Sequence, residues 1–294
     1  MSALHDTGWA KLNLTLEVLG RRPDGYHEIK SLVAFAAFGD DLWLEPDGDL
    51  ALRIEGPFGA AIGGENLILK AANVAAGSVP GLKLGRFRLR KVLPVAAGLG
   101  GGSADAAAAL RLIARVNSAA VTPSLLSEFA PKLGSDVSVC LKSEPAVMMG
   151  RGEKIATVQG FPSCGVLLAN PRRPLATEAV YAALHAAKLE TPPHFKAKRL
   201  DFADNLERLL AYVLPRSNAL EAPAISLVPE IEEVLKAVRA LPGALLTRLS
   251  GSGPTCFALF ATEDEAKEAA VRLSRQNEKW WIVASVLGAK GGAA

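Results

Sequence analysis

The sequence predicts an α+β fold in which strands and helices follow one another irregularly. Three observations point there. Alternating apolar and polar residues mark the N-terminal segment, alanine- and leucine-rich helical stretches begin at Leu67, and the two patterns never settle into the regular strand–helix repeat of a barrel. With 294 residues, 50% of them hydrophobic and 21% charged, the chain can bury a substantial core as one large or two medium domains.

Trp9 to Leu19 alternates as a strand should, and the turn Arg21-Arg22-Pro23-Asp24-Gly25 feeds a second strand from Glu28 to Phe38. Short strands are expected at Leu42 to Leu44 and Leu50 to Ile54, then a helix from Leu67 to Ala76. A strand over Phe87 to Val92 enters a glycine-rich loop, and a helix through Ala106 and Ile113 runs to about Val116, with a shorter one over Ser124 to Ala130. The pattern restarts near Gly160-Phe161-Pro162. Residues 1–160 are therefore expected to form an N-terminal domain with the glycine loop, and 161–294 a C-terminal domain. In the second half, the strand Gly165 to Asn170 is stopped by Pro171. Helices are expected from Thr177 to Ala186, around Asn205 to Val213 and from Pro229 to Ala240. A strand at Cys256 to Ala261, a charged helix at Glu263 to Arg275 and a strand at Trp281 to Val286 follow, and the Gly291-Gly292-Ala293-Ala294 tail is expected to fray.

The run Pro94-Val95-Ala96-Ala97-Gly98-Leu99-Gly100-Gly101-Gly102-Ser103-Ala104-Asp105 joins a strand to a helix start, which is where phosphates are held. Glycines let the backbone turn tightly and approach a ligand, while the unpaired N–H groups of the first helical turn face its negative charge. A tight structural turn would use the same residues, and Ser103 and Asp105 could cap the helix. No Gly-x-x-x-x-Gly-Lys-Ser/Thr occurs, the protein-kinase set His-Arg-Asp and Asp-Phe-Gly is missing, and no acidic residue ends a second strand where a dinucleotide fold needs one.

Charge adds little: 33 Lys and Arg against 30 Asp and Glu leave +3, too small to imply nucleic acid or a membrane as partner. Arg86, Arg88, Arg90 and Lys91 form a local basic stripe, read as a solvated strand face. The N-terminus lacks the basic and apolar segments of a signal peptide, and no run could span a bilayer, so a cytoplasmic protein is expected. Cys140, Cys164 and Cys256 are widely spaced in apolar surroundings and read as reduced core residues. His5, His27, His185 and His194 form no ligand cluster.

Three separated features could converge with the glycine loop. Ala10-Lys11-Leu12-Asn13 puts a cation and an amide on one side of a strand, Leu133-Gly134-Ser135-Asp136-Val137 offers a carboxylate after a helix, and Ser250-Gly251-Ser252-Gly253-Pro254-Thr255 supplies a second small-residue loop. Each has a plain structural reading as well: a strand-edge charge, a cap or turn, and a hairpin loop.

Pro94 to Ala107 resembles the signature of the GHMP kinase superfamily of small-molecule kinases, which includes galactokinase, homoserine kinase and mevalonate kinase. Glu65-Asn66-Leu67, the Lys11 and Asp136 segments and the Ser250 loop fit the same resemblance, which runs from about residue 9 to residue 286. Arg22-Pro23-Asp24-Gly25-Tyr26-His27 is the specific part, and is similar to the branch whose substrate carries a cytidine diphosphate.

The resemblance implies a two-domain GHMP-kinase fold, with an N-terminal domain like ribosomal protein S5 and a C-terminal ferredoxin-like α/β plait. It implies an enzyme of isoprenoid precursor synthesis that moves the γ-phosphate of ATP, with Mg²⁺, to the 2-hydroxyl of a cytidine-diphosphate-linked methylerythritol. Asp136 would be the general base, Lys11 would lie beside it and steady the charge, and Asn13 would hydrogen-bond the methylerythritol. ATP would be held by Asn66, Leu67, Pro94, Ala96, Ala97, Gly98, Leu99, Gly100, Gly101, Gly102, Ser103 and Ala104, with Ser103 near Mg²⁺. Tyr26, His27 and Tyr181 would take the cytosine, the two tyrosines sandwiching it, although Tyr181 in isolation reads better as apolar helix packing. Ser252 and Gly253 would wall the phosphate-bearing end. No obligatory protein partner is implied. One departure stands out: Arg216-Ser217-Asn218-Ala219-Leu220-Glu221 carries Ala219 where the family has an acid. Another alcohol as substrate, or a noncatalytic nucleotide-binding role, are the competing accounts.

Overall fold

The structure is a computed structural model that describes residues 3–191, 193 and 199–288; His194 and the 291–294 tail lie outside the described residues. In chain order the first elements are β1 (Leu4–Asn13), β2 (Glu17–Arg21), β3 (His27–Glu45), β4 (Ala51–Glu55), α1 (Leu67–Ser78), β5 (Arg86–Arg90) and α2 (Gly101–Val116). Next come α3 (Pro123–Leu133), α4 (Val137–Lys142), β6 (Ala146–Gly150), β7 (Lys154–Gln159), β8 (Cys164–Asn170), α5 (Thr177–Ala183), β9 (Leu200–Asp201) and α6 (Leu206–Val213). The chain finishes with α7 (Glu221–Leu227), α8 (Glu230–Arg239), β10 (Leu246–Leu249), β11 (Cys256–Phe260), α9 (Glu263–Gln276) and β12 (Trp281–Leu287). Among the described residues no helix is long and apolar enough to cross a membrane.

The chain folds into two compact units interleaved along the sequence. The first takes the described residues of Met1–Ala10 with Gly39–Val95 and Gly100–Ser143; the second takes Lys11–Phe38, Ala96–Leu99 and the described residues of Glu144–Ala294. The position between 160 and 161, where the sequence pattern restarts, falls inside the second unit.

In the first unit, α1 starts where the Asn66 side chain accepts the Ile68 N–H, and it buries Ile68, Ala71, Ala72 and Ala75. It packs on α2, whose Ala104 and Ala106–Ala109 are also buried. Small side chains let these helices approach closely, and Leu110, Leu112 and Ile113 fill what the alanines leave. β5 pairs antiparallel with the end of β3 and parallel with β4. Phe87 and Leu89 point into the core, and the arginines that alternate with them point out: Arg86 pairs with Glu45, and Arg88 pairs with Glu55 and lies over the Trp43 ring. Lys91 departs from the expected solvated stripe. It is buried, because Asp40 and Asp105 both bind its ammonium.

In the second unit the strand order is β10-β11-β8-β12-β3-β6-β7-β9. β8, buried at every position, pairs antiparallel with β11 and β12. The helices α8 and α9 cover these strands, and Leu167, Ala169, Val234, Leu235, Phe260 and Leu273 share one core. α9 is fixed at its start by a capping box between Thr262 and Glu265.

The expected strand from Trp9 to Leu19 is broken in two. Over residues 14–16 the ladder loses its regularity: the Leu14 and Thr15 N–H groups both donate to the Leu32 carbonyl, the Arg248 guanidinium donates to the Leu14 carbonyl, and Leu16 exchanges backbone hydrogen bonds with Ser217 and Ala219. Conversely, the strands expected at Glu28 to Phe38 and Leu42 to Leu44 are one continuous β3. α5 stops at Ala183, short of the expected Ala186, and His185 takes φ of 50°. Cys140, Cys164 and Cys256 are free and buried, and burial pushes the Cys164 thiol up to about 12.

Candidate active site

Along the glycine loop, Ala96–Leu99 belong to the second unit and the residues on either side to the first. In the second unit, Ala96 and Gly98 take left-handed φ of 51° and 73°. Gly98 has no room for a side chain, since a Cβ there would stand 2.2 Å from the Ser250 carbonyl oxygen. That close approach is held by hydrogen bonds: the Ser250 hydroxyl donates to the Gly98 carbonyl at 2.9 Å, Thr255 N–H to the Ala97 carbonyl at 3.2 Å, and Lys11 N–H to the Leu99 carbonyl at 2.8 Å. Three of the expected pieces are thus brought together: the Lys11–Asn13 strand, the middle of the glycine loop and the second small-residue loop.

Lys11 is buried and so is not a strand-edge charge. Asn13 is also buried; its side-chain amide donates to the Ser31 hydroxyl at 2.8 Å, and its backbone N–H to Ser250 Oγ at 3.4 Å. Ser252 Oγ lies 2.8 Å from Thr177 Oγ1, tying the second loop to the start of α5, the helix that carries Tyr181. Ser252 and Gly253 are both buried.

Several side chains that hold this loop are not legible in the sequence. Asn218 Nδ2 donates to the Leu249 and Gly251 carbonyls at 2.9 and 2.7 Å, its Oδ1 accepts the Leu220 N–H, and Glu221 accepts the Leu249 N–H at 2.9 Å. Asn218 and Glu221 flank Ala219, whose own contribution is a backbone N–H donated to the Leu16 carbonyl. The segment therefore acts on the second loop through its amide and its glutamate, with Ala219 between them. Each such buried bond is worth about 1 kcal/mol net, and more if one partner is left unpaired.

The Arg22–His27 motif is the turn between β2 and β3. The Asp24 side chain accepts the Tyr26 N–H, Arg22 N–H closes onto the Tyr26 carbonyl, and the Arg22 guanidinium bonds Asp24 and the buried Glu28. Its glycine, Gly25, has φ of 86°, which an ordinary side chain resists. The turn leaves Tyr26 54% exposed, with the Arg151 guanidinium 4.9 Å from its ring centroid. His27 stacks on Tyr181, ring centroids 4.7 Å apart and planes 29° from parallel. Partial burial, aided by the charge of Arg21, lowers the pKa of His27, which keeps the imidazole neutral at neutral pH. A neutral imidazole can donate from one nitrogen and accept at the other, as the edge of a base requires. Tyr181 thus stacks on His27 as well as packing against the core of the second unit.

In the first unit, α2 opens at Gly100, whose φ of 64° makes the turn, with no side-chain cap. Neither Ser103 nor Asp105 caps this helix. Its first internal bond is Ala104 N–H to the Gly100 carbonyl at 2.9 Å, so the N–H groups of Gly101, Gly102 and Ser103 precede the helical ladder and face out of its end. A helix start with small residues fits phosphate by its donors and by its dipole. A Cβ on Gly102 would stand 3.6 Å from Leu67 Cδ1, which places the expected Leu67 next to this turn, one residue after the capping Asn66. Pro94 is buried at the loop's start. Asp136 is half-buried at the residue preceding α4, a six-residue helix that the sequence reading missed, and its side chain does not cap that helix.

The GHMP kinases N-terminal domain profile matches residues 66–144 and the GHMP kinases C-terminal profile residues 200–279. The chain is 46% identical to the 4-diphosphocytidyl-2-C-methyl-D-erythritol kinase of Bradyrhizobium diazoefficiens, over 98% of this chain and 99% of that one. It is 45% identical to that of Methylorubrum extorquens, over 96% and 98%. A crystal structure of 4-(cytidine 5'-diphospho)-2C-methyl-D-erythritol kinase superposes with a TM-score of 0.75 at 32% identity, covering 97% of this chain and 99% of that one. L. major mevalonate kinase, solved in complex with R-mevalonate, superposes with a TM-score of 0.67 at 17% identity, over 99% and 97%, and shares the fold alone.

Proposed function

The chain belongs to the 4-diphosphocytidyl-2-C-methyl-D-erythritol kinase family of GHMP kinases, and from that premise we propose that it phosphorylates the 2-hydroxyl of that cytidine compound with ATP, releasing the 2-phosphate and ADP. The step belongs to non-mevalonate isoprenoid precursor synthesis. The observation that carries the reading is the Arg22–His27 turn, whose neutral His27 stacks on Tyr181 of α5, a pair that suits a cytosine better than it suits a simple alcohol.

Phosphoryl transfer asks for little covalent help, so positioning and electrostatics do most of the work. The backbone N–H groups of Gly101, Gly102 and Ser103 bind the triphosphate, and Pro94 and the Ala96–Gly100 and Ala104 backbone shape the loop around it. Asn66 and Leu67 take the adenine side. The Ser103 hydroxyl would be the side chain offered to the Mg²⁺ that accompanies ATP, an ion that would offset the charge of the phosphates. Asp136 accepts the proton of the attacking hydroxyl or orients it, and Lys11 offsets negative charge as the group moves. Asn13 binds the methylerythritol, Tyr26, His27 and Tyr181 the cytosine, and Ser252 and Gly253 the phosphate-bearing end. Two polyanionic reactants suit a cytoplasmic enzyme with no membrane or nucleic-acid partner.

A panel of acceptors separates this from neighbouring chemistries. Release of ADP should require the cytidine compound; turnover of mevalonate or homoserine in its place would contradict the assignment, and ATP binding without turnover of any acceptor would favour a noncatalytic role.

A further inference from the structure

Three buried ionisable side chains sit under the nucleotide loop without a part in the reaction as described. Lys91 Nζ donates to Asp40 Oδ2 and to Asp105 Oδ2, both at 2.6 Å, and the three side chains are 4%, 0% and 5% exposed. The other oxygen of Asp40 accepts the N–H of Val92 at 2.6 Å and of Leu93 at 2.9 Å. Those are the last two residues before Pro94, whereas Asp105 lies one turn into α2. One ammonium therefore links the chain entering the loop to the helix leaving it. The cluster also reaches the phosphate end of that helix, since a Cβ on Gly101 would stand 3.1 Å from Lys91 Nζ. On its far side Gly8 closes over Asp105, a Cβ there coming within 2.7 Å of Oδ1, and that oxygen is buried with no hydrogen-bond partner.

We propose that Lys91, Asp40 and Asp105 are positioning residues for the nucleotide: a buried ionic clamp that fixes the span between Leu93 and the first turn of α2, and so the direction of the N–H groups that meet the phosphates. The inference rests on the ATP reading above. Burying three ionisable groups is an expensive way to fill space, and apolar side chains of similar volume would stabilise the fold as well. What the charged trio adds is direction, through short ion-assisted hydrogen bonds to two backbone N–H groups and one helix. Lys91 also answers the objection that a carboxylate in the first turns of α2 would repel phosphate, because its charge lies between Asp105 and Asp40.

Calorimetric binding of a non-hydrolysable ATP analogue, with steady-state kinetics, tests the clamp. Asp105→Ala should weaken analogue binding and raise KM for ATP by about tenfold or more, as expected for a lost charge-assisted bond, with KM for the cytidine compound unchanged within about twofold. Asp105→Asn keeps an oxygen for Lys91 Nζ and should recover to within about threefold of the parent protein. Should Asp105→Ala not fold by circular dichroism, Asp40→Asn takes its place: it keeps an acceptor for Val92 and Leu93, presents an amide to Lys91, and should weaken the analogue by about tenfold. A variant that melts earlier yet binds the analogue within about twofold of the parent would reduce the cluster to ordinary structure and overturn the proposal, as would Asp105→Asn binding no better than Asp105→Ala. Parent protein that fails to bind the analogue would overturn the ATP reading itself, and the clamp with it.

Discussion

Asp136 carries the sharpest expectation at the scale of single residues. Asparagine keeps its shape and cannot take a proton, so Asp136→Asn should leave the circular dichroism spectrum and both KM values nearly unchanged while kcat falls by roughly 10²–10⁴. Unchanged kcat would remove Asp136 from the chemistry. Tyr181→Ala strips the stack from His27 and should raise KM for the cytidine compound by about tenfold, the range of an aromatic contact, with KM for ATP unaffected. Asp105 sets a pH dependence. Burial, with Lys91 opposing and Asp40 adding, pushes its pKa from 3.8 up to about 7. Below 3.8 the folded and unfolded chains both hold the proton; between 3.8 and about 7 only the folded chain does, so stability declines as pH rises and levels off above the folded value. Urea unfolding of the parent protein should therefore lose stability relative to Asp105→Asn between about pH 4 and about pH 7, whereas parallel curves would contradict the shift.

At the scale of elements, the loop–loop contact is the point of least tolerance. Gly98→Ala must hold φ near 73° and place a methyl against the Ser250 carbonyl, so it should cost about 2 kcal/mol or more in urea unfolding and weaken ATP binding. Helices whose pattern is long and periodic were legible before any coordinates: α1, α2, α8 and α9 lie within a few residues of where the 3.6 period puts them. β6 and β7 were not. β6 is buried at all five positions and so has no alternation to read, and α4 and β10 are too short for a period to register. α7 carries Pro223 in its first turn, where proline is tolerated but reads from sequence as a break. The site divides the same way. Glycine loops and the Arg22–His27 turn are local and can be read, whereas Asn13 meets Ser250 across 237 residues, and the partners of Asn218, Glu221, Asp40 and Lys91 are set by packing. Lys91 misled for this reason: a charge in an arginine-rich strand reads as solvated until two carboxylates arrive from other elements.

For the whole molecule, the glycine loop and its helix explain a phosphate site, but they are common ground for kinases of many alcohols. In the proposed function the choice of substrate rests on a different part of the chain, His27 at the end of the turn between β2 and β3, stacked on Tyr181 of α5. The central claim joins the two: a nucleotide-phosphate site and a cytosine site in one chain, working on one hydroxyl. It is tested most directly by incubating the purified protein with ATP, Mg²⁺ and 4-diphosphocytidyl-2-C-methyl-D-erythritol and reading the product by phosphorus NMR. The account predicts a new phosphomonoester on the 2-hydroxyl with the diphosphate intact. A phosphate at any other position, or no product from folded protein that binds ATP, would contradict it.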